Sequence, residues 1–255
     1  MLAVPLFVLG LLVGSFLNVV VWRVPRGESV AHPPSACPAC GRPIRPRDNV
    51  PVLSWLLLRG RCRDCRSPIS ARYPAVEVAT AVLFALVALR VEPWAVPAYA
   101  YLAAIGVALA LIDLDTHRLP NAIVLPSYPV LATLLALASW ATGDWSAAVR
   151  AVIGGVALWA AYFALCLAHP RGMGFGDVKL AGLLGGALAW SGWGPFAVGS
   201  FGAFVLGGLF GIGLLVTRRA TRGSGIPFGP WMLLGAAVGI AVGGPAWTWY
   251  VGLLT

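Results

Sequence analysis

Charge is what this sequence has least of. Of its 255 residues 11% are charged, and aspartate and glutamate together number only nine. Soluble domains carry about 25% charged residues. This chain is instead 59% hydrophobic, and its apolar runs approach the roughly 20 residues that cross a bilayer. The expected fold class is therefore all-α, in a polytopic membrane protein. Also missing is a basic stretch ahead of the first apolar run, the mark of a cleavable secretory signal. Arg23 and Arg26 follow that run instead, so residues 2–22 read as an uncleaved first span with its N-terminus outside. No fixed-period repeat and no low-complexity tail is present. Cysteine is scarce too: there are five, four of them in one short polar segment.

The formal charge of +9 points to nucleic acid only until the charges are placed. After the first span, further spans are expected at roughly 74–90, 95–112, 122–140, 148–168, 178–193, 195–216 and 228–250, about eight in all. The sixth is short and glycine-rich, and a tilted or re-entrant course is open to it. This layout puts 16 of the 18 lysines and arginines on one side, in segments 23–72, 113–121, 169–177 and 217–227 and at Lys179; only Arg90 and Arg150 fall on the other. By the positive-inside rule that side is cytoplasmic and both termini lie outside. Insertion accounts for the charge, so no nucleic-acid partner is expected. The organisation is a first transmembrane helix (1–22), a cytoplasmic four-cysteine domain (23–73) and a seven-helix membrane-embedded part (74–255).

Cys37, Cys40, Cys62 and Cys65 form C-x2-C-x21-C-x2-C. Two such knuckles suit a tetrahedral zinc ion with sulfur ligands at about 2.3 Å. A domain of this size with few large apolar groups is marginal without a staple, and metal binding would supply folding free energy. Disulfides are the rival, disfavoured in a reducing cytoplasm. Four thiolates close the coordination shell, so the expected zinc is structural. Cys166, in an apolar span, reads as a packed small residue.

Few acidic residues lie near the membrane. Glu92 and Asp144 fall in outer loops and read as solvated. Asp113 and Asp115 end the third span, in LIDLDTHRLPN (111–121); Asp177 starts the sixth, in GMGFGDVKL (172–180). The layout brings both ends to the cytoplasmic face. Ionisable groups at membrane depth mark function by default. Two carboxylates sharing one proton would serve aspartic proteolysis, one activating water and the other hydrogen-bonding the scissile carbonyl. Gly172, Gly174 and Gly176 would let a peptide backbone approach, and Lys179 would orient substrate or snorkel. Asp177 starts a helix and Asp113 ends one, so the helix dipole favours charge on Asp177 and the proton on Asp113. Read from the residues alone, a carboxylate-dependent transporter is as good a reading, and Asp177 as a plain N-cap is the structural alternative.

GMGFGDVKL resembles the glycine-aspartate signature of the type IV prepilin leader peptidases, a family of intramembrane aspartic proteases, and IDLDTHRLPN resembles their other catalytic motif. Gly14-Ser-Phe-Leu-Asn18, the paired CxxC knuckles, Arg72-Tyr-Pro-Ala-Val-Glu77 and Ile226-Pro-Phe-Gly-Pro230 resemble four further blocks in family order. The resemblance implies a bacterial inner-membrane enzyme that cleaves the leader of type IV prepilins or type II secretion pseudopilins at the cytoplasmic face, after a glycine. It implies Asp113 and Asp177 as the catalytic pair without a metal, with Gly174, Gly176, Lys179 and Asp115 in support. It also implies methylation of the new N-terminus with S-adenosylmethionine, tied to the N-terminal part, where Glu77 and Asn18 are the candidates. Ser15 and Asn18 would equally serve helix packing, and Glu77 an ion pair with Arg72 or Arg23. The acidic Glu28, Asp48 and Asp64 are candidates to receive a basic leader.

Overall fold

The computed structural model describes residues 2–169, 172–218 and 227–253. Its long helices are α1 (Ala3–Arg23), α3 (Arg72–Arg90), α4 (Val96–Thr116), α5 (Asn121–Thr142), α6 (Trp145–Ala168), α7 (Phe175–Ser191), α8 (Trp193–Val216) and α9 (Gly229–Gly252), with a short α2 (Leu53–Leu57) in the polar segment. No strand occurs among the described residues. The all-α, polytopic expectation holds. Seven of these helices are long and apolar enough to cross a membrane. The eighth is α7, which at 17 residues is about 25 Å long, short of a hydrocarbon core of about 30 Å. Of the motif at 226–230, Ile226 lies outside the described residues, as do Arg171, Arg219 and Arg222.

Local chemistry sets the helix ends. Pro120, which has no N–H to offer, precedes α5, and Gly143 ends it at φ +73°, a left-handed position that glycine adopts without a Cβ penalty. The Asp144 carboxylate then caps α6 by accepting the Ala147 amide at 3.1 Å. Glu92 similarly accepts the Trp94 amide at 3.2 Å. Both acidic residues expected to be merely solvated are therefore caps. Arg150 reaches the far end of α7, where its guanidinium donates to the Ala189 and Trp190 carbonyls, each at 3.4 Å.

The chain divides into two compact units, Met1–Ala108 and Leu109–Thr255. In the first, α1 lies against α3 through Gly10 and Gly14. A Cβ on Gly10 would come within 2.5 Å of the Ala81 Cα, and one on Gly14 within 2.7 Å of the Glu77 Cα. This is the small-xxx-small packing by which apolar helices associate where burial from water supplies no drive.

In the second unit α7 is the buried element, with residues on all its sides covered. A helix so enclosed must meet its neighbours with small side chains. The Gly185 Cα faces the Gly154 carbonyl, where a Cβ would sit 2.5 Å from the oxygen. Likewise α8 and α9 meet through Gly199, Ala203, Gly235 and Gly239.

Candidate active site

Asp113 lies in the last turn of α4 and Asp177 in the first turn of α7. Both are buried, at 5% and 9% exposure. Each carboxylate is held by one backbone N–H at a helix start. Asp177 Oδ2 accepts from Gly174, the N-cap of its own helix, at 3.2 Å, so Asp177 is the third helical residue rather than the cap. Asp113 Oδ2 accepts from Gly229, the first residue of α9, at 3.1 Å. Pro230 follows and has no N–H, which leaves the Gly229 amide as the donor nearest that helix start.

The two carboxylates are close enough to repel one another. Leu119 lies between the elements that carry them: a Cβ on Gly176 would meet its side chain at 3.1 Å, and one on Gly229 would meet it at 3.5 Å. Three segments far apart in sequence thus converge on one buried acidic pair. The dipole argument that separated the two aspartates does not survive this geometry. Asp113 ends α4 but faces the N-terminus of α9, so both carboxylates receive the partial positive charge of a helix start.

The supporting residues divide. Gly174 supplies the amide to Asp177, and Gly176 is where Leu119 packs. Lys179 Nζ donates to Asn121 Oδ1 at 2.8 Å and lies 4.8 Å from the centroid of the Phe175 ring. Asp115 is exposed. Sequence reasoning missed Gly229 as a ligand of Asp113, because a glycine's backbone amide leaves no chemical signature. It also missed His117, which stands at φ +53° after α4, donates its amide to the Asp113 carbonyl at 2.8 Å and is coupled electrostatically to the Asp113 carboxylate.

In the first unit Glu77 is buried at 8% exposure. Its Oε2 accepts the Val52 amide at 2.7 Å. Arg23 is engaged elsewhere, with the Ser29 and Pro33 carbonyls at 2.9 and 2.7 Å. Asn18 Nδ2 donates to the Gly14 carbonyl at 3.3 Å and to the Tyr73 carbonyl at 3.2 Å, the packing role open to it from sequence. Of the acidic residues offered to a basic leader, Asp48 pairs with Arg63 at 2.6 Å, and Asp64 with Arg42 and Arg45 at 3.2 Å.

Cys37, Cys40, Cys62 and Cys65 are free thiols whose sulfurs all lie within 4.8 Å of one another. The two knuckles fold alike. In each, the first cysteine's amide donates five residues on, from Cys37 to Arg42 and from Cys62 to Ser67, both at 2.9 Å. The residue after the second cysteine is left-handed in both, Gly41 at φ +70° and Arg66 at φ +60°. Cys37 Sγ and Cys65 Sγ are 3.8 Å apart. That matches the edge of a sulfur tetrahedron around zinc, about 3.8 Å for Zn–S bonds of about 2.3 Å. The Cys40 backbone amide, followed by the Ser67 hydroxyl, holds the Cys37 thiol down at about 6, where it is a thiolate at neutral pH. The residues present fit a four-thiolate metal.

Comparison with known proteins follows the same division. Residues 8–91 match the family model described as bacterial peptidase A24 N-terminal domain, and residues 100–212 match that described as type IV leader peptidase family. Three curated relatives are each named prepilin leader peptidase/N-methyltransferase. The Aeromonas hydrophila protein is 38% identical over 96% of this chain and 92% of its own. The Pseudomonas putida protein is 40% identical over 92% and 89%, and the Neisseria gonorrhoeae protein 38% identical over 89% and 86%. No solved structure matches.

Proposed function

The chain belongs to the type IV leader peptidase family, and from that membership we propose that it cleaves the leader of a prepilin or pseudopilin with Asp113 and Asp177, after a glycine at the cytoplasmic membrane face. The observation that carries the reading is the convergence of two buried carboxylates, each anchored by a helix-start amide. Two such groups hold one proton between them, because repulsion and desolvation disfavour double ionisation. The ionised member takes a proton from water as the water oxygen adds to the scissile carbonyl. The protonated member hydrogen-bonds the developing oxyanion and then gives its proton to the leaving amine. The fixed amides of Gly174 and Gly229 keep the carboxylates in place without reorganisation. No metal takes part in this scheme. Asp115 and Lys179 lie outside it and act in support, on substrate approach.

The second activity belongs to the N-terminal unit in this reading. S-adenosylmethionine, when bound, supplies an electrophilic methyl group to the newly exposed amine. Glu77 acts by holding the Val52 turn, and Asn18 by fixing α1 against α3. Cys37, Cys40, Cys62 and Cys65 hold a structural Zn2+ that folds the domain between those helices. The protein sits multi-pass in the bacterial inner membrane, with that domain cytoplasmic and both termini outside, and nucleic acid is not a partner.

The test is cleavage of a prepilin in membranes by the unaltered chain, Asp113→Asn and Asp177→Asn, scored by product mass. Loss of cleavage in both variants, against an active parent, is the expected result, and gain of one methylene mass on the parent's product marks methylation. Normal cleavage by both variants would remove the protease assignment from this pair.

A further inference from the structure

Helix α7 is tied to α5 just beyond Asp177. The Tyr128 hydroxyl, from α5, donates to the Lys179 carbonyl at 2.6 Å. Lys179 lies within α7, so a phenol from a neighbouring helix holds the α7 backbone at that residue.

The sequence leaves room for it. Gly182 lies on that face of α7, and a Cβ there would fall on the Tyr128 oxygen itself. Two further features make the contact deliberate. Pro126 and Pro129 flank Tyr128 within α5, and each removes one bond from the α5 ladder. Asn121, two turns before Tyr128 on α5, holds the Lys179 side chain at 2.8 Å. Helix α5 thus grips one residue of α7 by its backbone and by its side chain, two positions after Asp177.

We propose that Tyr128 is a positioning residue for the aspartate pair: its hydroxyl, bonded to the Lys179 carbonyl, fixes the start of α7 against α5 and so aims Asp177 at Asp113. This rests on the reading that Asp177 is catalytic. Removing the hydroxyl frees the α7 backbone from α5 at Lys179, and the turn bearing Asp177 then re-aims.

The experiment measures kcat and KM for prepilin cleavage by the full chain carrying Tyr128→Phe, Gly182→Ala or both, with Asp177→Asn as control and thermal unfolding in detergent alongside. Misplacement of a reacting group by about 1 Å costs on the order of 100-fold in rate. Tyr128→Phe is expected to lower kcat about 10- to 100-fold with KM unchanged. Gly182→Ala should do the same by displacing the hydroxyl. The double variant should be no slower than Gly182→Ala, because both changes remove one interaction. Full kcat in Tyr128→Phe overturns the proposal, as does a raised KM at full kcat or a lowered unfolding temperature at full kcat. Losses that multiply in the double variant overturn it too. If Tyr128→Phe does not accumulate in membranes, Gly182→Ala decides alone, and full kcat there is the overturning result. Cleavage by Asp177→Asn would instead sink the reading beneath it, a separate outcome.

Discussion

The Glu77 carboxylate accepts the Val52 amide at 2.7 Å, and Val52 stands at φ +59°, ψ −51°. A β-branched residue at positive φ is a true outlier, costing about 1–3 kcal/mol and persisting only where its surroundings enforce it. Here a buried carboxylate on α3 enforces it. Glu77→Ala should release this turn and abolish methylation while leaving cleavage intact, read as a cleaved product lacking the added methylene mass. Glu77→Gln keeps an oxygen that can accept the same amide and should retain methylation. If the glutamine variant also loses methylation, the charge of Glu77 is needed and anchoring is not its whole role.

Gly229 meets Asp113 closely enough that a Cβ would sit 2.7 Å from Oδ2. Gly229→Ala must therefore push the carboxylate off its amide. Loss of cleavage of roughly 100-fold is expected, the scale for removing one preorganised donor, with normal accumulation in membranes. An alanine variant that cleaves at the parental rate would show that this hydrogen bond is dispensable.

Metal removal should act on the cysteine domain. Binding free energy in small four-ligand zinc sites is folding free energy, apparently about 10–16 kcal/mol in peptides. One zinc per chain is expected by elemental analysis, and none in a chain with all four of these cysteines changed to serine. Chelation should open residues 24–71 to trypsin, whose sites there include Arg47, Arg59 and Arg66. Equal protection with and without chelator would remove the structural role of the metal.

Acid should weaken the same domain through Asp48. The Arg63 guanidinium bonded to it holds its carboxyl below the ordinary range. A carboxyl lowered on folding contributes stability that is full above its unfolded value, near 4, and is lost as pH falls through its folded value. The unfolding temperature of Asp48→Asn should therefore lie below that of the parent at neutral pH, with the gap closing as pH drops below about 4. A gap that is constant with pH would mean that the pair contributes nothing through charge.

The sequence by itself determined the class of this protein. Apolar runs near bilayer length must become helices, because hydrocarbon offers no partner to an unpaired backbone group. The C-x2-C spacings fixed the knuckles, since four thiolates in two hairpins have few other uses, and two acidic residues at opposite helix ends stood out against a nearly uncharged background. Tertiary structure decided what periodicity and composition do not encode. It brought the Gly229 amide to Asp113 from 116 positions along the chain, which gave Asp113 a helix-start donor where helix polarity alone had set it apart from Asp177. It turned Lys179 to Asn121 and Glu77 to the Val52 amide. It also seated the Tyr128 phenol against the backbone of a helix far from it in sequence. For Asp113, Glu77 and Tyr128 the physical reason is the same: a backbone amide or carbonyl has no identity in sequence, so which side chain reaches it is settled only when the helices pack.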